Sequence, residues 1–194
     1  MSKSQTYLWL VDERHKAADV RRIVEGEAAK GDSGLYQGVV VAPTHIGAAE
    51  AGGATHIISV AGFPTGRHHG LIKASEARLA VQSGASEVWV SVDDAMDEVE
   101  EFLPDLVTIR EACPEPVELG MFTPCPASGA QNAVRAAHAA ELAGFDRVIV
   151  PAAELATPLQ TSLATVVLAP NSCDEATVAS WLNAGAAAVA HPAG

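Results

Sequence analysis

Cysteine is scarce. Three thiols, Cys113, Cys125 and Cys173, cannot all pair with one another, so no disulfide framework is expected and a reducing cytoplasm is the simplest compartment. Aromatic residues are only 5% of the 194 positions, which leaves Ala, Gly and Val to fill closely packed layers of strand and helix. Basic residues number 12 against 24 acidic ones, and the net charge of −12 argues against a nucleic acid or an anionic membrane as partner. No apolar run approaches the roughly 20 residues that a membrane-crossing helix needs. The opening MSKSQTYLWLVDERH has neither the apolar stretch nor the cleavage site of a secretory leader. Lysine occurs four times, at Lys3, Lys16, Lys30 and Lys73, and never after position 73.

What is present is a regular alternation. Short β-branched runs are expected as strands near Tyr7–Val11, Gly38–Ala42, His56–Ala61, Glu87–Val92, Val117–Phe122, Arg147–Val150, Thr165–Leu168 and Ala187–Ala190. Helical patterns lie between them, among others at Ala17–Ala29, Leu71–Ser83, Ala130–Ala143 and Asp174–Ala184, with Gly31, Gly84, Gly144 and Gly185 as stops. Eight strands alternating with helices predict one domain over residues 1–194, a small (β/α)8 TIM barrel with short loops. An open doubly wound sheet is the runner-up, because such barrels usually run to about 250 residues. The chain ends at HPAG, just after the eighth strand, so no closing C-terminal helix is expected. Uncovered apolar surface beside the first and eighth strands, and hence a homodimer or a packing contact there away from the mouth, follow from that expectation.

The segment SVAGFPTGRHHGLIKASEARLAVQSGASEV, from Ser59 to Val88, resembles the third strand, GFP-x-G turn and following helix of the deoxyribose-phosphate aldolase family. Upstream, GVVVAPTHI at Gly38–Ile46 is similar to that family's second strand, and ELAGFDRVIV and WLNAGAAAVAHPAG extend the similarity. The resemblance implies a (β/α)8 barrel and an aldehyde lyase. In that family a sixth-strand lysine forms a Schiff base, a seventh-strand lysine lowers its pKa, and a fourth-strand aspartate relays protons. Carried over position by position, Ile149 stands where the nucleophile belongs, Leu168 at the second lysine and Trp89 at the aspartate. Three apolar side chains replace a charged constellation together, so the expected protein is aldolase-like without Schiff-base chemistry. The alternatives are a non-catalytic binding or regulatory barrel, or a metal- or acid/base-dependent enzyme that reuses the mouth. Strand alternation turns Ser91 and Asp93 inward with Trp89, and Arg147 and Pro151 inward with Ile149.

Functional residues of such barrels gather at the C-terminal strand ends. His45, Arg67, His68, His69, Asp93, Asn171 and His191 are the ligand-binding candidates there, for a small molecule. His45, His191, Asp12 and Asp93 are the residue types of a divalent-metal site, but no ligand spacing motif supports one, and neither metal nor cofactor is expected. Arg67, His68 and His69 precede a helix and would suit an anion, or be solvated loop residues. Lys73, early in that helix, is expected as a surface charge. The run DDAMDEVEE, Asp93–Glu101, is expected to be a solvated helix start. Cys125 reads as a loop cysteine rather than a nucleophile.

Overall fold

The computed structural model describes residues 5–12, 14–31, 36–124, 129–156 and 158–193. Cys125, expected as a loop cysteine, lies outside these residues. Eight parallel strands close in chain order into a barrel: β1 (Thr6–Trp9), β2 (Gly38–Val41), β3 (Ile57–Ala61), β4 (Glu87–Ser91), β5 (Glu118–Phe122), β6 (Arg147–Pro151), β7 (Ala164–Leu168) and β8 (Ala188–His191). Closure is direct, with Tyr7 of β1 opposite Ala190 of β8. The chain therefore adopts the (β/α)8 TIM barrel rather than the open sheet. Among the described residues six helices surround it: α1 (Ala17–Ala28), α2 (Ile46–Ala51), α3 (Gly70–Gln82), α4 (Val99–Ala112), α5 (Ala130–Leu142) and α6 (Glu175–Asn183). Between β6 and β7 the described residues form only a 3₁₀ turn, Ala152–Glu154.

Successive strand residues face opposite ways, so each strand must be apolar on both faces when helices cover the outside. The register sorts them. Val39, Val88, Val90, Leu119, Met121 and Val148 point outward and pack under the helices. Val150, Val167 and Val189 do the same beneath Val178, Trp181 and Leu182 of α6. Tyr7, Val40, Ile58, Val60, Trp89, Ile149, Val166, Ala188 and Ala190 form a separate cluster inside the barrel.

One expectation fails. The side of the barrel at β1 and β8 does not leave apolar surface bare, since Leu8 and Val189 are fully buried. The rings of Tyr36 and His191 meet on that side with centroids 5.3 Å apart. The exposed large apolar residues lie elsewhere, Leu71, Ile72 and Leu79 on α3, Val107 on α4 and Leu142 on α5.

The glycine-rich turn after β3 owes its composition to crowding. Gly66 sits at φ +67°, and a Cβ there would lie 2.2 Å from the Val92 carbonyl carbon and oxygen. Only glycine allows the turn to press onto the chain leaving β4. The turn that carries the family resemblance is thus a structural clasp at Gly66.

Candidate functional site

The upper interior is aromatic. Trp89 is fully buried, and Trp9, Phe63 and Phe122 gather around it. Trp9 stacks on Trp89 at 6.4 Å and 23°, while Phe122 meets Trp89 edge-on at 5.9 Å and 82°. Phe63 closes the group, 5.3 Å from Phe122 and 5.7 Å from Trp9. Offset and edge-to-face pairs of this kind each contribute about 0.5–1.5 kcal/mol beyond the area they bury. The indole fits because the position across from it on β5 is Gly120. A Cβ there would lie 2.6 Å from both Trp89 Cδ1 and Ile149 Cδ1. Ile149 is 1% exposed, and Leu168 is half-buried at the upper end of β7. Trp89, Ile149 and Leu168 thus all face inward, as strand alternation predicts.

The polar candidates do not converge on this centre. Arg67 Nε lies 3.2 Å from Asp93 Oδ1, so two of them pair with each other across the loops after β3 and β4. Asp93 also accepts the backbone N–H of Ala95 at 2.9 Å, a turn-closing bond that holds its carboxyl below the usual range. It leaves the strand at this turn instead of continuing inward. His69 caps α3, its Nδ1 accepting the Leu71 N–H at 3.2 Å, and its neighbour His68 is exposed. His45 closes the short turn after β2, half-buried. Asn171 is exposed, its carbonyl oxygen accepting the Cys173 thiol. His191 is a correction to its place at the mouth. It lies opposite Leu8 in the register, so it turns to the outside of the barrel, where Tyr36 covers it. Among the described residues no three His, Cys, Asp or Glu side chains gather as a metal-binding group.

Lys73 is a second correction. It is 1% exposed, not a surface charge, and its Nζ lies 2.8 Å from Asp105 Oδ2 on α4. It also donates to the Gly66 carbonyl at 3.1 Å. The amine therefore ties the glycine turn to α4 outside the barrel wall. It does not stand at the base of the mouth. The acidic run likewise has particular partners: Glu101 accepts the N–H groups of Asp97 and Glu98 at the start of α4, and Asp97 pairs with Arg135 on α5.

The charged interior lies at the other end, the barrel floor, and strand alternation from Trp89 and Ile149 leads straight to it. Glu87, two residues before Trp89, is fully buried. Its Oε1 accepts the Trp89 indole N–H at 2.6 Å and lies 2.9 Å from Arg147 Nε, and its Oε2 lies 3.2 Å from His56 Nε2. Arg147 reaches Glu118 as well. Burial pushes the Glu87 carboxyl up, but His56, Arg147 and Trp89 together outweigh it and hold the carboxyl below its ordinary value. Burial disfavours the Arg147 cation too, yet Glu87 and Glu118 keep it charged. Sequence reading turned Arg147 inward and missed Glu87 and His56.

No protein-family model matches the chain. Among curated proteins it is 38% identical over 120 residues to a deoxyribose-phosphate aldolase of Nocardia farcinica, a match covering 60% of this chain and 53% of that protein. It is 44% identical over 102 residues to the enzyme of the same name from Corynebacterium glutamicum, covering 51% and 45%. The chain spans about half the length of the curated relatives it matches. Among solved structures, a deoxyribose phosphate aldolase of Aeropyrum pernix, described as a tetramer, superposes with TM-score 0.81 at 20% identity over 97% of this chain and 85% of that one. A phosphonopyruvate hydrolase superposes at 0.67 with 15% identity, covering 99% and 80%. At these identities the structures speak for the barrel and not for a chemistry.

Proposed function

As a divergent relative of the deoxyribose-phosphate aldolases, this chain is, we propose, an aldolase-like barrel that performs no Schiff-base chemistry and serves as a binding or regulatory module. One observation carries the reading: inward-facing Trp89, Ile149 and Leu168 occupy the places where the family resemblance puts the catalytic aspartate and the two lysines. A Schiff-base lysine must stand where the substrate carbonyl reaches it, inside the barrel mouth. Here Lys73 faces a carboxylate instead, outside the barrel wall. The retro-aldol assay tests this directly. With 2-deoxyribose 5-phosphate, the purified chain is expected to release no aldehyde above the rate without protein, and Lys73→Met to behave identically. Release of aldehyde that Lys73→Met abolishes contradicts the proposal.

Two features of the reading concern partners and place. A second copy of this chain is the proposed partner, because the exposed Ile72 and Leu79 of α3 line, with Pro43 and His68, a groove of about 410 Å³. Light scattering on the purified chain is expected to give a multiple of the 20.0 kDa chain mass, and a monomer at high concentration contradicts it. No helix of the described residues is long and apolar enough to cross a membrane, and the acidic charge opposes nucleic acid, in keeping with a cytoplasmic protein that binds a small molecule.

A further inference from the structure

Ser86, His56 and Glu87 meet at the barrel floor because the strands that they precede or begin are neighbours, with Ile58 of β3 opposite Glu87 of β4. Ser86 Oγ lies 3.0 Å from His56 Nδ1, and His56 Nε2 lies 3.2 Å from Glu87 Oε2. An ionised carboxylate only accepts, so Nε2 carries a proton toward Glu87, and in that neutral tautomer Nδ1 is the acceptor that faces the Ser86 hydroxyl. The Ile57 carbonyl, 3.4 Å from the same hydroxyl, is a longer and weaker alternative. The ring is held in place: the Tyr7 ring lies 5.8 Å away, and Gly38 lacks the Cβ that would sit 2.4 Å from His56 Cδ2. Behind it, Glu87 is itself fixed by Arg147 and Trp89. Ser86 is exposed, and His56 borders a cavity of about 130 Å³ that Glu27, Gln37 and Thr55 also line.

We propose that Ser86, His56 and Glu87 form a hydrolytic site for small uncharged acyl esters on the N-terminal face of the barrel. A hydroxyl hydrogen-bonded to an imidazole whose other nitrogen is oriented by a buried carboxylate is the arrangement that activates a serine. Ser86 Oγ attacks the ester carbonyl carbon while its proton passes to His56 Nδ1. The tetrahedral intermediate then expels the alcohol oxygen, which takes that proton, and leaves an acyl ester on Ser86. Water attacks the acyl carbon with His56 again accepting a proton. That proton returns to Ser86 Oγ as the carboxylic acid departs, so ester and water become acid and alcohol. Glu87 keeps its charge throughout and balances the transient imidazolium, which makes it a positioning residue. The substrate is uncharged because the carboxylates of this face already hold their own cations, Glu87 and Glu118 with Arg147 and Glu27 with Lys30, and the chain's net charge of −12 repels an anion.

The probe is p-nitrophenyl acetate on the full chain. The expected result is nitrophenolate release with an acetyl group mapped to Ser86 by peptide mass. Release falls about a hundredfold in Ser86→Ala, the lower end of what general-base catalysis supplies. Because Ser86 is exposed, that variant should melt at the wild-type temperature, and Ser86→Cys, which keeps a nucleophile at the position, should recover acyl transfer. Equal release from wild type and Ser86→Ala overturns the proposal, as does acetylation confined to Cys173 or to a lysine.

Discussion

Trp89→Ala is expected to destabilise the protein by about 3–5 kcal/mol in urea unfolding, the range for truncating a fully buried large aromatic side chain. The cost is at the high end of single substitutions because the indole meets three other rings of the barrel interior. Trp9, Phe122 and Tyr7 lie 6.4, 5.9 and 5.9 Å from it. It also satisfies Glu87, so its removal strips a hydrogen bond from a buried carboxylate. Gly120, directly across, has no side chain to collapse into the space. The variant should therefore hold an apolar cavity that free indole refills, with the melting temperature rising as indole is added. A loss under about 1 kcal/mol, with no response to indole, would show that the barrel interior is open rather than packed.

Glu87→Gln should cost about 3 kcal/mol at neutral pH, since it leaves the Arg147 guanidinium part-buried beside a neutral amide and retains only Glu118 as its counter-charge. The same group sets the acid limb of stability. Its folded-state carboxyl is held below the ordinary value, so the contribution is complete above the unfolded carboxyl pKa of about 4.3. It is lost as pH falls through the lower, folded-state value. Urea midpoints measured from pH 7 down to pH 3 should fall for wild type and fall less for Glu87→Gln. Parallel acid limbs in the two proteins would mean that Glu87 is not the group whose protonation unfolds the barrel.

Much of this interior is legible in the sequence because a strand's period of two is rigid. Once Trp89 is placed inward, Glu87 and Ser91 must follow, and Ile149 brings Arg147 with it. The strand ends fall within two residues of their expected positions because β-branched runs between Gly, Pro and Asp leave little choice. Loop residues obey no such period. Asp93 lies at inward parity, but its turn onto Ala95 N–H and Arg67 redirects it. His191 was placed at the mouth by position alone, whereas its register opposite Leu8 turns it outward. Lys73 looked solvated because its partner, Asp105, sits on a different helix 32 positions later, a distance that no local pattern reports. His56 precedes β3 at the N-terminal end of the barrel, opposite the strand ends where functional side chains of such barrels gather.

The sharpest test concerns covalent chemistry with an aldehyde. The purified chain is incubated with acetaldehyde or 2-deoxyribose 5-phosphate, reduced with borohydride, and weighed intact by mass spectrometry. An interior of tryptophan, isoleucine and leucine predicts an unmodified mass, with at most scattered labelling of surface amines. A single stoichiometric adduct that maps to Lys73 would contradict it.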